Sequence, residues 1–147
     1  MTLPSLFESK IAVVGMGYVG LPLAIQMTKT KNCLVTGNKR NHTIIGFDTN
    51  VERIKELKNG IDKTNEITSE ELIKAKHFIY SHEVTSLEQV DVFIVTVPTP
   101  IDKNNLPDLE PIKKACETIG KVIQKRKANM LIKPMIIFES TVYPGTT

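Results

Sequence analysis

Lys10-Ile-Ala-Val-Val-Gly-Met-Gly-Tyr-Val-Gly20 decides how this chain is read. Residues 11–14 form a short apolar run, rich in β-branched side chains, of the kind that makes a buried strand. G-x-G-x-x-G follows at once, at Gly15, Gly17 and Gly20. In that setting the first glycine lets the chain turn off the strand tip. The second allows a pyrophosphate close to the backbone, and the third lets the next helix pack on the strand. The helix then directs its free N–H groups and positive dipole end at the phosphates. Glycine pairs are common in loops, but strand before and helix after supply the context that dinucleotide binding requires.

Working outward, 147 residues with 41% hydrophobic composition suit one domain with a real core. Nineteen basic and sixteen acidic residues are mixed along the chain and leave a net charge of only +3. A nucleic-acid surface would instead show clustered Lys and Arg with interleaved aromatics. The densest basic run, KVIQKRK at 121–127, reads as a solvated helix end favoured by the dipole. Residues 1–9 lack the pattern of a signal peptide, and no apolar run reaches transmembrane length. Cys33 and Cys116 lie far apart without metal-ligand spacing, so neither a metal nor a disulfide is expected. Neither a nucleic acid nor a membrane is expected as partner, and a cytoplasmic location follows by default. His42, His77 and His82 share no pattern and read as ordinary surface or strand-edge residues.

Strand and helix signals alternate throughout. Strands are expected at 10–14, 43–47, 78–80, 90–97 and 134–138. Helices are expected at 18–29, with Pro22 tolerated in the opening turn, at 51–58, and at 110–127. Asn59-Gly60 ends the second helix, and Thr68 with Glu71 makes a capping-box start for a short one. Residues 30–41 form a polar, basic connection, longer than the usual loop of about two to six residues, and read as a tolerated surface loop. Such alternation means an α/β fold, a Rossmann-type doubly wound parallel sheet in a single domain. Ligands of these sheets bind outside the carboxyl ends of the strands. Gly15–Gly20, Asp48, residues 97–100 and residues 139–142 are therefore expected to line one crevice.

Asp48 closes an apolar strand and must face the rim. A carboxylate there accepts hydrogen bonds from the adenosine ribose hydroxyls and repels a 2′-phosphate, selecting NAD over NADP. Its offset of 28 positions from Gly20 exceeds the usual value of roughly 20, which the 30–41 insertion accounts for. A second reading makes Asp48 the N-cap of the helix starting at Val51, and the two are compatible. Arg53, one turn into that helix, either stacks on the adenine or is surface charge. Thr99 stands between Pro98 and Pro100, as a rigid hydroxyl for the nicotinamide side or as part of a proline-braced turn. Glu139-Ser140-Thr141 either orients a substrate or a water, or braces the turn marked by Pro144-Gly145.

Four stretches together carry a family likeness: VVGMGYVGLPLA (13–24), GFDTNVERI (46–54), VTVPTP (95–100) and ESTVYPGTT (139–147). The chain resembles the amino-terminal part of the UDP-glucose/GDP-mannose dehydrogenase family along essentially its whole length. KNGIDKTNEI (58–67), PTPID and ESTVYPGTT look closest to the branch that oxidises UDP-N-acetylglucosamine or UDP-N-acetylgalactosamine at C6 for bacterial surface polysaccharides. The resemblance implies oxidation of a C6 alcohol to a carboxylate with two NAD, by way of a thioester on a cysteine. It implies that Gly15, Gly17, Tyr18, Val19 and Gly20 cradle the pyrophosphate, that Asp48 holds the ribose and that Arg53 lies beside the adenosine. Thr99 and Thr141 contact the cofactor, and Thr141 matches the threonine near the catalytic water. The family's nucleophilic cysteine sits in a glycine-rich motif that neither Cys33 nor Cys116 matches. Residues 1–147 are thus expected to be the NAD-binding domain of a longer enzyme, homodimeric when full length. A stand-alone NAD-binding regulatory module and a Rossmann dehydrogenase of hydroxyacid or hydroxyacyl-CoA type are the alternatives.

Overall fold

The computed structural model describes residues 2–5, 7–75, 78–101, 106–126 and 132–140. In chain order its elements are β1 (Lys10–Val14), α1 (Gly20–Lys29), β2 (Thr43–Phe47), α2 (Val51–Lys58), α3 (Ser69–Lys74), β3 (Ile79–Ser81), β4 (Val92–Val95), α4 (Glu110–Lys125) and β5 (Met135–Phe138). The five strands form one parallel sheet in the order β3-β2-β1-β4-β5. The chain first winds from β1 to β2 and β3, then crosses back to β4. The crossover leaves the topological switch at the tip of β1, where ligands of open parallel sheets bind.

Side-chain alternation along the strands separates two cores. Ile11, Val13, Ile44 and Ile94 face α1, α2 and α3 through Leu21, Ile25, Ile54 and Leu72. Ala12, Val14, Ile45, Phe47, Phe93 and Val95 face α4 through Ala115, Ile119 and Val122. The sheet is thereby buried on both faces, as a parallel sheet requires. The register sets Val14 against Phe47 on one side and Val95 on the other, so three strand tips end level.

Several elements differ from expectation, β5 by a single residue at its start. α1 starts at Gly20 rather than at residue 18, because Tyr18 and Val19 belong to the turn that delivers it. β4 is shorter than 90–97: Val90 closes a 3₁₀ turn by donating to the Leu87 carbonyl, and Pro98 has no amide to offer the ladder. β3 spans Ile79–Ser81, one residue later than expected. The run at 121–127 is not simply solvated, since the half-buried Arg126 guanidinium lies 5.7 Å from the Phe93 ring centroid and donates to the Val90 carbonyl. The capping box is present, Thr68 Oγ1 accepting from the Glu71 amide and Glu71 Oε2 from the Thr68 amide.

The long 30–41 connection closes on its own backbone. The Cys33 amide donates to the Asn38 carbonyl at 2.8 Å, and Arg40 donates to the Lys31 carbonyl at 2.7 Å. The excursion leaves and re-enters at one place, so its length does not disturb the pairing of β2 with β1. Among the described residues no helix is long and apolar enough to cross a membrane.

Candidate functional site

Past Val14 the chain leaves the sheet through Gly15, whose amide still donates to the Phe47 carbonyl at 2.8 Å and whose φ is +104°. Only glycine enters that backbone region without strain. The loop then folds back so that α1 begins directly beneath it. A Cβ on Gly20 would collide with the Gly15 carbonyl oxygen and with Thr96 Oγ1. A Cβ on Gly17 would meet nothing within 4 Å among the described residues. One glycine closes the loop onto the helix, and the other keeps the loop's outer face open. No side chain caps the first turn of α1, whose N-cap is Val19. The Leu21 amide is already taken by the Gly17 carbonyl at 3.1 Å and Pro22 has no amide hydrogen, so what this end offers a ligand's oxygens is chiefly the dipole, which favours negative charge there.

A crevice of about 550 Å³ opens at this point, walled by Gly15 and Gly17, by Asp48 from the β2–α2 connection and Arg53 from the first turn of α2, and by Pro98 after β4. The opening turns of α4, including Glu110 and Lys114, also line it, whereas Glu139 and Ser140, the described residues of the expected β5 tip, do not. Ser140 does reach the neighbouring tip, its hydroxyl donating to the Val97 carbonyl at 2.9 Å, but it braces that loop rather than lining the crevice. Tyr18 is 64% exposed, and neither it, Val19 nor the half-buried Thr99 belongs to the wall. Thr141 and His77 lie outside the described residues.

Asp48 is set by the glycine loop itself. Its Oδ2 accepts from the Met16 amide at 2.7 Å and its Oδ1 from the Asn50 amide at 2.9 Å. Each carboxylate oxygen keeps a further acceptor site toward the crevice. The N-cap of α2 is not Asp48 but Asn50, whose side chain accepts from the Arg53 amide at 3.1 Å. Glycine loop, open Gly17 face, uncapped helix and rim carboxylate together fit a dinucleotide's pyrophosphate and ribose.

Arg53 is not surface charge. Its side chain is 10% exposed, with Nε donating to the Met16 carbonyl at 2.8 Å and Nη2 to Asp62 Oδ1 at 2.7 Å. Asp62, whose side chain is fully enclosed, also accepts from the amides of Thr64, Glu66 and Ile67, each at 3.0 Å. Burial pushes its carboxyl up, yet the Thr64 hydroxyl, the Arg53 guanidinium and these amides outweigh burial and hold it at about 2. Sequence reasoning missed Asp62, which after Gly60 reads as an exposed loop acid. It also missed Thr96, buried with Oγ1 placed 2.9 Å from the Gly15 carbonyl and 3.1 Å from that of Val14. A lone hydroxyl inside the apolar run VFIVTV was the available signal, because a buried hydroxyl needs a partner.

The two thiols differ in kind. The Thr36 hydroxyl, the amides of Thr36 and Val35 and the charge of Arg40 bring Cys33 down to about 7, whereas burial pushes Cys116 up. Thiolate is the reactive form. Iodoacetamide at pH 7.5 is therefore expected to label Cys33 several-fold faster than Cys116 in peptide mass spectrometry. Equal rates would contradict this assignment of the thiolate.

Comparison with known proteins agrees with this geometry. A family model described as the NAD binding domain of the UDP-glucose/GDP-mannose dehydrogenase family matches residues 9–147. The chain is 48% identical over 140 residues to a UDP-N-acetyl-D-glucosamine 6-dehydrogenase of Pseudomonas aeruginosa, covering 95% of this chain and 29% of that protein. It is 49% identical over 137 residues to protein CapL of Staphylococcus aureus, covering 93% and 28%. A solved UDP-D-ManNAc dehydrogenase from Pyrococcus horikoshii superposes with a TM-score of 0.73 at 30% identity, covering 94% of this chain and 30% of that one. The chain thus spans less than a third of the length of these relatives.

Proposed function

Because the chain belongs to the UDP-glucose/GDP-mannose dehydrogenase family, we propose that it is the cofactor-holding, amino-terminal part of a cytoplasmic UDP-sugar 6-dehydrogenase. The substrate is a UDP-N-acetylhexosamine, oxidised at C6 to the carboxylate with two NAD. The named activity of the Pseudomonas relative, at 48% identity, supports this substrate class. The family's domain binds NAD, which when bound supplies the hydride acceptor.

The observation that carries the reading is the meeting of the open Gly17 face and the Asp48 carboxylate at one crevice, next to a start of α1 that carries no side-chain cap. The loop amides and helix end hold a pyrophosphate while Asp48 accepts from the ribose hydroxyls. Thr99 and Thr141 are proposed to touch the nicotinamide side, Thr141 beside the catalytic water, by family resemblance. Residues 1–147 are proposed to act within a longer, homodimeric polypeptide that supplies the nucleophilic cysteine. Both free thiols here lie outside the crevice wall.

Calorimetric titration tests the cofactor part. NAD is expected to bind more tightly than NADP. Asp48→Asn, which removes the charge but keeps the shape, is expected to weaken NAD by about tenfold, the size of one lost charge-assisted bond. Tighter binding of NADP than NAD to the unaltered chain would overturn the role given to Asp48. Turnover of UDP-N-acetylglucosamine by the longer polypeptide tests the substrate class.

A further inference from the structure

We propose that Asp62 is a specificity-determining residue, which excludes NADP by keeping Arg53 away from the 2′-phosphate. The proposal rests on the NAD reading of the crevice. In folds of this kind an arginine near the end of the second strand is the ordinary receptor for a 2′-phosphate. Arg53 has that position, walling the same crevice as Asp48. A free guanidinium there would offer a fork of donors matched to phosphate oxygens.

It is not free. Nη2 is spent on Asp62 and Thr64, and Nε on the Met16 carbonyl. Only Nη1 is left, buried and without a hydrogen-bond partner among the described residues. Asp62 is in turn fixed by three backbone amides and the Thr64 hydroxyl, so it cannot follow Arg53 outward. Both charges are enclosed, with side-chain exposures of 10% and 0%. The Tyr80 hydroxyl, pushed up to about 12 by burial, feels both of them and likewise has no partner among the described residues. Around the ribose end the charges of Asp48, Arg53 and Asp62 sum to −1, which repels a phosphate of nearly two negative charges. Without the Asp62 charge the sum is zero and the guanidinium has reason to turn toward the crevice.

The test is the ratio of NADP to NAD dissociation constants, measured calorimetrically on the chain and its variants. Asp62→Asn keeps an oxygen for the turn amides and is expected to shrink the ratio about tenfold. Adding Arg53→Met to that variant is expected to restore the original ratio, which a general loosening of the fold would not do. Raising salt is expected to erode the gain in NADP binding, since it comes from charge. If both nucleotides weaken in proportion and the ratio stays fixed, Asp62 is a structural residue and the inference fails while the NAD reading stands. Asp62→Ser provides a second variant. If neither variant folds, Asp62 serves folding and the inference is overturned. A chain that binds neither nucleotide removes the cofactor reading itself.

Discussion

Gly20→Ala is expected to abolish NAD binding and to lower Tm by roughly 10 °C, while Gly17→Ala leaves Tm nearly unchanged and still loses NAD. The added Cβ at Gly20 lands on the Gly15 carbonyl oxygen and Thr96 Oγ1, and the first of these is backbone held by the sheet. No side chain can move to relieve the clash, so α1 must shift off the loop. Overpacking of this sort costs about 3 kcal/mol, and at this chain length each kcal/mol moves Tm by roughly 2–4 °C. The shift also parts the loop amides from the helix end that must act with them. At Gly17 the backbone lies outside the left-handed region and the new methyl enters open space. Its only cost is to the ligand whose pyrophosphate would occupy that space. Thermal melts and calorimetry on the two variants separate the effects. Unchanged NAD affinity in Gly17→Ala would mean that the phosphates lie elsewhere.

The same contrast explains what the sequence made legible. The strand, the turn and the helix of residues 10–29 announce themselves because each is encoded locally, in an apolar run, glycine spacing and apolar periodicity. The crevice was legible as a meeting of strand tips because parallel topology brings those tips level. The residues that stiffen it were not. Thr96 touches Gly15 across 81 positions, and Arg53 touches Met16 across 37. Neither contact leaves a mark in a window of neighbouring residues. From the sequence Arg53 reads as adenine platform or surface charge because its partner, Asp62, sits in a turn whose composition is that of an exposed loop. The second reading of Asp48, as a cap compatible with its ribose role, arises because acids are good caps, yet Asn50 lies one residue before the helix and takes that role. Packing of the 110–125 helix against the crevice depends on how that helix crosses the sheet, which periodicity does not specify.

Arg53→Leu is expected to destabilise the chain by about 3–5 kcal/mol at pH 7, the usual result of removing one partner of a buried ion pair. The loss should depend on pH in a stated direction. With Arg53 present, the Asp62 carboxyl sits at about 2 in the folded chain, against an ordinary value of 3.8. A folded-state value below the unfolded one stabilises above pH 3.8, and that stabilisation disappears as pH falls through about 2. In Arg53→Leu the Thr64 hydroxyl and the three amides still favour the carboxylate, but burial now opposes them without the guanidinium. The carboxyl therefore titrates higher, and the variant surrenders less on acidification. Urea unfolding at pH 7, 5, 4 and 3 should show the two proteins converging below pH 4. A gap that stays constant down to pH 3 would mean that Arg53 stabilises by packing alone. NAD affinity should fall in the same variant at every pH. The Met16 carbonyl loses its donor, and the Met16 amide is the group that orients Asp48. One side chain thus links the electrostatics of the 62–67 turn to the carboxylate that meets the ribose, so stability and cofactor affinity should respond together to its removal but separately to pH.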